Sequence, residues 1–254
     1  MIILKRAIPF LSSITILIAG EVMAAHGASF WYAFTLLMLA HCAAYAYLLS
    51  NRAAKREALL FLAVATTLLL SGFFLVVFLS DWWMLQGIVI LLALLYGWYT
   101  ENIFHYLYQQ ARYQPYALEH ISSYLNILSF FLFFCGLFAS RVFLAINLAV
   151  LMTIGAFAII LLTLLMSWGN KLQTPDAGVL NLVHLFIMIE LLGVVSLLPT
   201  SFFVSSLLLT VPYYLMANLI RHSVRGTLQR AVVYRYTAVS LSAFLITILT
   251  APWS

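Results

Sequence analysis

Glu101 and His105 stand four residues apart in TENIFHYLYQQARYQPYALEH, residues 100–120, and Glu119 and His120 close the same stretch. Carboxylates and imidazoles hold iron, manganese or zinc, and they pass protons. Spacings of i, i+4 and i+7 put Glu101, His105 and Tyr108 on one helix face. With Glu119 and His120, and with His184 from a later segment, they form a candidate pocket at the cytoplasmic face. A single Glu-x-x-x-His differs from the paired Glu-x-x-His of di-metal bundles, so no metal or other cofactor is assigned. The competing reading is the wet end of two membrane helices. Tyr99, Tyr106, Tyr108, Tyr113, Tyr116 and Tyr124 crowd the segment, as in an interfacial aromatic belt.

A second set lies in far more apolar surroundings. Counted inward from Gly178, Glu190 is roughly 18 Å deep in its segment, and His41 is about as deep counted from Ser29. Glu21 is shallower, on the segment that pairs with that of His41. An ionised carboxylate at the centre of a spanning helix costs about 2.5–3.5 kcal/mol, so Glu190 is expected to face the protein interior and find a partner or a proton. Glu21, His41 and Glu190 are thus candidates for a proton or ion pathway. The blander account, which the residue types favour, is interhelical hydrogen bonding, in which a neutral side chain joins two helices. Asp81 in SDWW and His26 in AHGAS read as exposed turn residues.

These side chains need elements to carry them, and composition says which. The chain has 254 residues, 65% of them apolar and 7% charged, with a mean hydropathy of +1.09. Soluble domains carry about 25% charged residues, so this is an integral membrane protein. Spanning helices need roughly 20 apolar residues, and the apolar runs are continuous and do not alternate, which excludes a barrel. Nine spans are predicted, at about 7–25, 29–50, 58–79, 83–108, 119–139, 142–168, 178–198, 200–220 and 231–251. The first is longer than a signal-peptide apolar core, about 7–15 residues, and is read as a span.

The net charge of +5 does not indicate nucleic acid, because the basic residues sit in short loops and form no solvated patch. Lys5, Arg6, Arg52, Lys55, Arg56, Arg112, Lys171, Arg221, Arg225, Arg230 and Arg235 fall on one side if the spans alternate; only Arg141 falls on the other. By the positive-inside rule the N-terminus is cytoplasmic. Cys42 and Cys135 lie within spans and form neither a disulfide framework nor a zinc spacing. A turn is expected at Ser140-Arg141, and Gly20, Gly72, Gly136 and Gly193 precede the outer turns, where small residues let helices approach. Pro212 is expected to kink the eighth span. Lysine for a retinal Schiff base is missing from the spans, and so are a phosphate loop, a Gly-x-Ser-x-Gly elbow and His-Glu-x-x-His.

The stretches LLGVVSLLPTSFFVSSLLLTVPYYL, 191–215, and SSYLNILSFFLFFCGLF, 122–138, resemble uncharacterised multi-pass membrane proteins of candidate-phyla (ultra-small) bacteria. The resemblance implies a similar helical bundle and transfers no functional residue.

The expectation is therefore an all-α polytopic bundle, a single transmembrane domain of the cytoplasmic (inner) membrane. Its function is read as transport, channel or lipid handling through a polar interior. The alternatives are a scaffold or accessory subunit, and a membrane enzyme using Glu101, His105, Glu119 and His120. Membrane lipids are the expected partners, with other membrane subunits or a second copy as further candidates.

Overall fold

The computed structural model describes residues 2–25, 30–50, 53–172 and 174–251. His26 and Arg52 lie outside the described residues. Among the described residues there is no strand, and nine helices are long and apolar enough to cross a membrane. These are α1 (Ile2–Ala25), α2 (Phe30–Leu49), α3 (Lys55–Val76), α4 (Trp82–Tyr108), α5 (Ala117–Leu144), α6 (Leu148–Gly169), α7 (Pro175–Ser196), α8 (Phe202–Val224) and α9 (Arg230–Thr250). The chain is an all-α, multi-pass integral membrane protein.

Caps explain where several helices begin. Asp81 is more than an exposed turn residue: its carboxylate accepts from Met84 N at 2.9 Å and starts α4. Asn147 accepts from Ala149 N at 3.0 Å, and Thr174 accepts from Ala177 N ahead of Pro175 at the first turn of α7. Side-chain oxygens of this kind satisfy amides that have no partner within the helix, and proline suits that first turn.

The turn expected at Ser140-Arg141 falls later. Ser-Arg contains no helix breaker, and α5 runs on to Leu144 before Ala145 takes a left-handed φ of 51°. Arg141 therefore sits on the last turn of α5, where its guanidinium donates to the Ser196 carbonyl at the end of α7. A cation there satisfies a terminal carbonyl and opposes the helix dipole. Helix α8 continues through Pro212 without interruption.

The helices cluster into two compact units, 1–125 and 126–254. In the first, α1 packs on α2 and α4, and α3 packs on α2 and α4, which closes a ring of four antiparallel helices. Its core includes Tyr45, Leu68, Phe73, Leu92, Tyr96 and Tyr99. Close approach to α4 relies on small residues. A Cβ at Gly20 would overlap the Val89 side chain, and one at Gly72 would overlap Leu92. In the second unit α7 packs between α6 and α8, and α9 packs on α8. Phe130 stacks on Tyr213 with ring centroids 4.0 Å apart. Cys135 is buried here, whereas Cys42 in the first unit is exposed, because α2 turns that face away from its neighbours.

Candidate functional site

His41 holds the middle of the first unit. Its Nδ1 lies 2.7 Å from the Tyr96 hydroxyl and its Nε2 lies 2.9 Å from Thr66 Oγ1. Thr66 already donates to the Leu62 carbonyl at 2.8 Å, so its oxygen can only accept from Nε2–H. The neutral ring thus carries its proton on Nε2, and Tyr96 donates to Nδ1. One turn further on, Thr100 donates to the Tyr96 carbonyl, and Tyr45 donates to the Thr100 hydroxyl at 3.4 Å. Tyr45 also packs against the His41 ring, centroids 4.8 Å apart. Three helices are stitched together with both imidazole nitrogens satisfied. A small crevice of about 160 Å³ reaches His41 between α1 and α2, and the hydroxyls that line it, Ser12 and Thr15, bond to backbone carbonyls of α1.

A larger groove of about 630 Å³ runs between α1 and α4 on the other side of α1. This volume falls within the range of about 300–1,000 Å³ common for small-molecule sites. Phe10, Leu17, Ile90, Leu94 and Trp98 form its apolar wall. Arg6, Glu101, His105 and Arg112 gather at one end. Within the lining, Gly97 admits Ser13, whose hydroxyl donates to Pro9 O and Ala93 O at 3.0 Å each. His105 Nε2 lies 3.6 Å from Glu101 Oε1, and His105 Nδ1 is buried without a hydrogen-bond partner among the described residues. Arg6 and Arg112 are exposed, and neither has a carboxylate partner among the described residues.

Beside this charged end, Lys5 is buried. Its ammonium donates to Ser50 O at 3.3 Å, Ser50 Oγ at 2.9 Å and the Tyr108 hydroxyl at 2.7 Å, and lies 5.2 Å from the centre of the Tyr47 ring. Tyr108 donates in turn to Leu48 O at 2.8 Å. The cation thus closes the C-terminal end of α2 and ties it to α1 and α4. Read from sequence, Lys5 was only an orientation signal.

The sequence candidates separate. Glu101 and His105 share the groove, whereas Glu119, half-buried, and His120, exposed, are not among the residues that line it. Among the described residues no three His, Cys, Asp or Glu side chains are placed to hold a metal. Glu21 is exposed on α1, and its carboxylate makes no hydrogen bond to His41, whose two nitrogens are bonded elsewhere. Glu190 is also exposed, on α7, contrary to the expectation that it would face the interior. The core-facing side of α7 is occupied by Ala177, His184, Met188, Leu192 and Val195, which leaves position 190 on the outer face.

His184 belongs to the second unit, 2% exposed, with its ring 5.2 Å from that of Tyr213. Tyr213 donates to Asn126 Oδ1 at 2.7 Å, and Asn126 Nδ2 donates to Leu162 O at 3.0 Å. Sequence reading missed Asn126, Tyr213, Tyr96 and Thr66. The only signal for them was i, i+4 spacing, as in Tyr96 and Thr100 or His41 and Tyr45, and in helices this apolar such pairs do not stand out. Comparison with protein-family models, with curated proteins and with solved structures finds no match to this chain.

Proposed function

We propose that this multi-pass membrane protein handles lipid, binding a polar-headed amphiphile in the groove between α1 and α4. The carrying observation is the division of that 630 Å³ groove into an apolar wall and one charged end. A ligand that satisfies both parts has a hydrocarbon tail and a polar head. Two arginines against one glutamate, itself beside His105, favour an anionic head such as a phosphate. The eleven basic residues on one side of the alternating spans support a cytoplasmic N-terminus in the cytoplasmic membrane. The charged end of the groove would then meet the leaflet whose anionic lipids attract basic side chains. A proton path through Glu21, His41 and Glu190 lacks comparable support, because the donors and acceptors of His41 are used in joining helices.

The test is equilibrium binding of a fluorescent phosphatidylglycerol and a matched phosphatidylcholine to the purified full-length chain in nanodiscs. The wild type is expected to prefer the anionic lipid. The pair Arg6→Glu and Arg112→Glu should weaken that preference roughly thirtyfold, at about 1 kcal/mol per basic residue. Leu94→Trp, which fills the groove from an exposed position, should weaken both lipids alike. Equal binding of both lipids by the wild type, unchanged by Leu94→Trp, would refute the proposal.

A further inference from the structure

Residues 221–235, RHSVRGTLQRAVVYR, join the end of α8 to the start of α9 and carry Arg221, Arg225, Arg230 and Arg235. A basic connection is what the positive-inside rule asks of this side of the membrane. The other basic connections on that side each bring a carboxylate: Glu57 with Lys55 and Arg56, Glu119 with Arg112, and Asp176 with Lys171. Here there is none, and residues 191–254 contain no Asp or Glu at all. Arg225, Arg230 and Arg235 are exposed, and among the described residues they form no ion pair.

The fold holds these charges in place. Thr227 N donates to His222 O at 2.9 Å and Gly226 N to Ser223 O at 3.0 Å, with Gly226 at a φ of 65°, the closure that ends a helix in a left-handed residue. His222 ties both helices to this turn: its Nδ1 lies 2.9 Å from Thr227 Oγ1, and its Nε2 lies 3.4 Å from the Tyr236 hydroxyl on α9. Arg221, Arg225 and Arg235 are all near enough to that one imidazole for their charges to act on it. Like charges gathered in this way repel, and Arg221 and Arg225 stand four apart on one face of α8. Arg225 makes one long bond, Nη2 to Asn170 O at 3.4 Å. Arg235 lies 5.6 Å from the centre of the Tyr236 ring, a contact that does not use its N–H groups.

We infer that this hairpin binds the head of an anionic lipid with two phosphates, of the diphosphatidylglycerol (cardiolipin) type. Guanidinium groups match phosphate oxygens as two-pronged donors. A single phosphodiester carries one negative charge and leaves most of the cluster uncompensated, whereas two phosphates come closer to balance. Placement favours a lipid over a dissolved phosphate. The arginines cover about 6 Å along α8 and about 7.5 Å along α9, and the head-group layer on one side of a bilayer is about 5–8 Å thick. Beside them Leu228, Tyr234 and Val239 are exposed apolar side chains, suited to acyl chains. The site belongs to the second unit and does not rest on the groove between α1 and α4.

The experiment is native mass spectrometry of the full-length chain in a neutral detergent. It is titrated with tetraoleoyl cardiolipin, with dioleoylphosphatidylglycerol at matched phosphate, and with inorganic pyrophosphate. Wild type and the pair Arg6→Glu and Arg112→Glu, which disables the groove, are both measured, and both are expected to bind cardiolipin at this hairpin. In the Arg6 and Arg112 background, phosphatidylglycerol should bind about tenfold more weakly than cardiolipin. Adding Arg230→Gln and Arg235→Gln should raise the cardiolipin Kd about thirtyfold, at roughly fivefold per basic residue. Arg230→Lys and Arg235→Lys keep the charges and should raise it less than the glutamine pair. Both positions are exposed, so the variants are expected to fold, which circular dichroism and thermal melting check. Equal affinity for the two lipids in that background overturns the inference, as does a glutamine pair that binds cardiolipin as well as its parent. Pyrophosphate that binds as tightly as cardiolipin overturns the choice of a lipid.

Discussion

Tyr96→Phe removes one oxygen from the centre of the first unit, and the hydrogen-bond pattern says what it leaves behind. His41 Nδ1 accepts only from that hydroxyl, 2.7 Å away, while Nε2–H is committed to Thr66 at 2.9 Å. His41 is 3% exposed and Tyr96 1%, so the substitution leaves a buried acceptor without its donor. An unpaired buried acceptor costs about 1–3 kcal/mol. Side-chain bonds between membrane helices average about 0.6 kcal/mol and reach about 1.7. The expected loss for Tyr96→Phe is therefore about 1–2 kcal/mol. His41→Phe should cost at least as much, because it orphans the Tyr96 O–H and removes the bond to Thr66. The double variant orphans neither partner of the first bond, so it should cost less than the sum of the two, by about 1 kcal/mol. The assay is reversible unfolding in mixed micelles, with titration by a denaturing detergent followed by circular dichroism. Strict additivity of the two substitutions, or single variants both within about 0.3 kcal/mol of wild type, would refute the view that His41 joins helices through Tyr96.

Two further expectations concern the same unit. Lys5→Met keeps the length of the side chain but loses the ammonium bonds to Ser50 and Tyr108; with bonds to a charged donor contributing about 1.5–3 kcal/mol, thermal melting should show a loss of that order, and hydrogen exchange should rise at the C-terminal end of α2 ahead of the rest. Gly97→Ala puts a methyl group into the Ser13 hydroxyl and should cost about 1–3 kcal/mol as overpacking, whereas the double variant Gly97→Ala and Ser13→Ala should recover most of that loss in the same melting assay; no recovery would mean that α1 and α4 are held apart by something other than this contact.

Much of the architecture was legible because insertion into a bilayer depends on a local property. A run of about 20 apolar residues spans whatever it packs against, so the nine helices lie within a few residues of the predicted spans. The exception is instructive. Ser140-Arg141 looked like a turn because it interrupts an apolar run, yet α5 continues to Leu144, since a polar pair stays helical when a partner such as the Ser196 carbonyl takes up its charge. The caps at Asp81, Asn147 and Thr174 are equally local contacts, although Asp81 reads from sequence only as a turn residue and the other two do not stand out.

The candidate site was legible only in part. Glu101 and His105 belong together by helical spacing, and they do share the groove. That Arg6, nearly a hundred residues away in the chain, joins them depends on the antiparallel packing of α1 against α4, which no spacing reveals. The same holds for Lys5, which the charge pattern placed at a loop and the fold buries under Tyr108.

Amino-acid order by itself determined the membrane class, the number of apolar helices and the position of each polar residue along its helix, because rise per residue along a helix is constant. Tertiary structure decided which way those residues face. His41 and Glu190 looked alike at the level of depth, yet one is buried between Tyr96 and Thr66 and the other is exposed on α7. Rotation about a helix axis is set by the neighbouring helices, and in segments this uniformly apolar the sequence carries little amphipathic signal from which to read it.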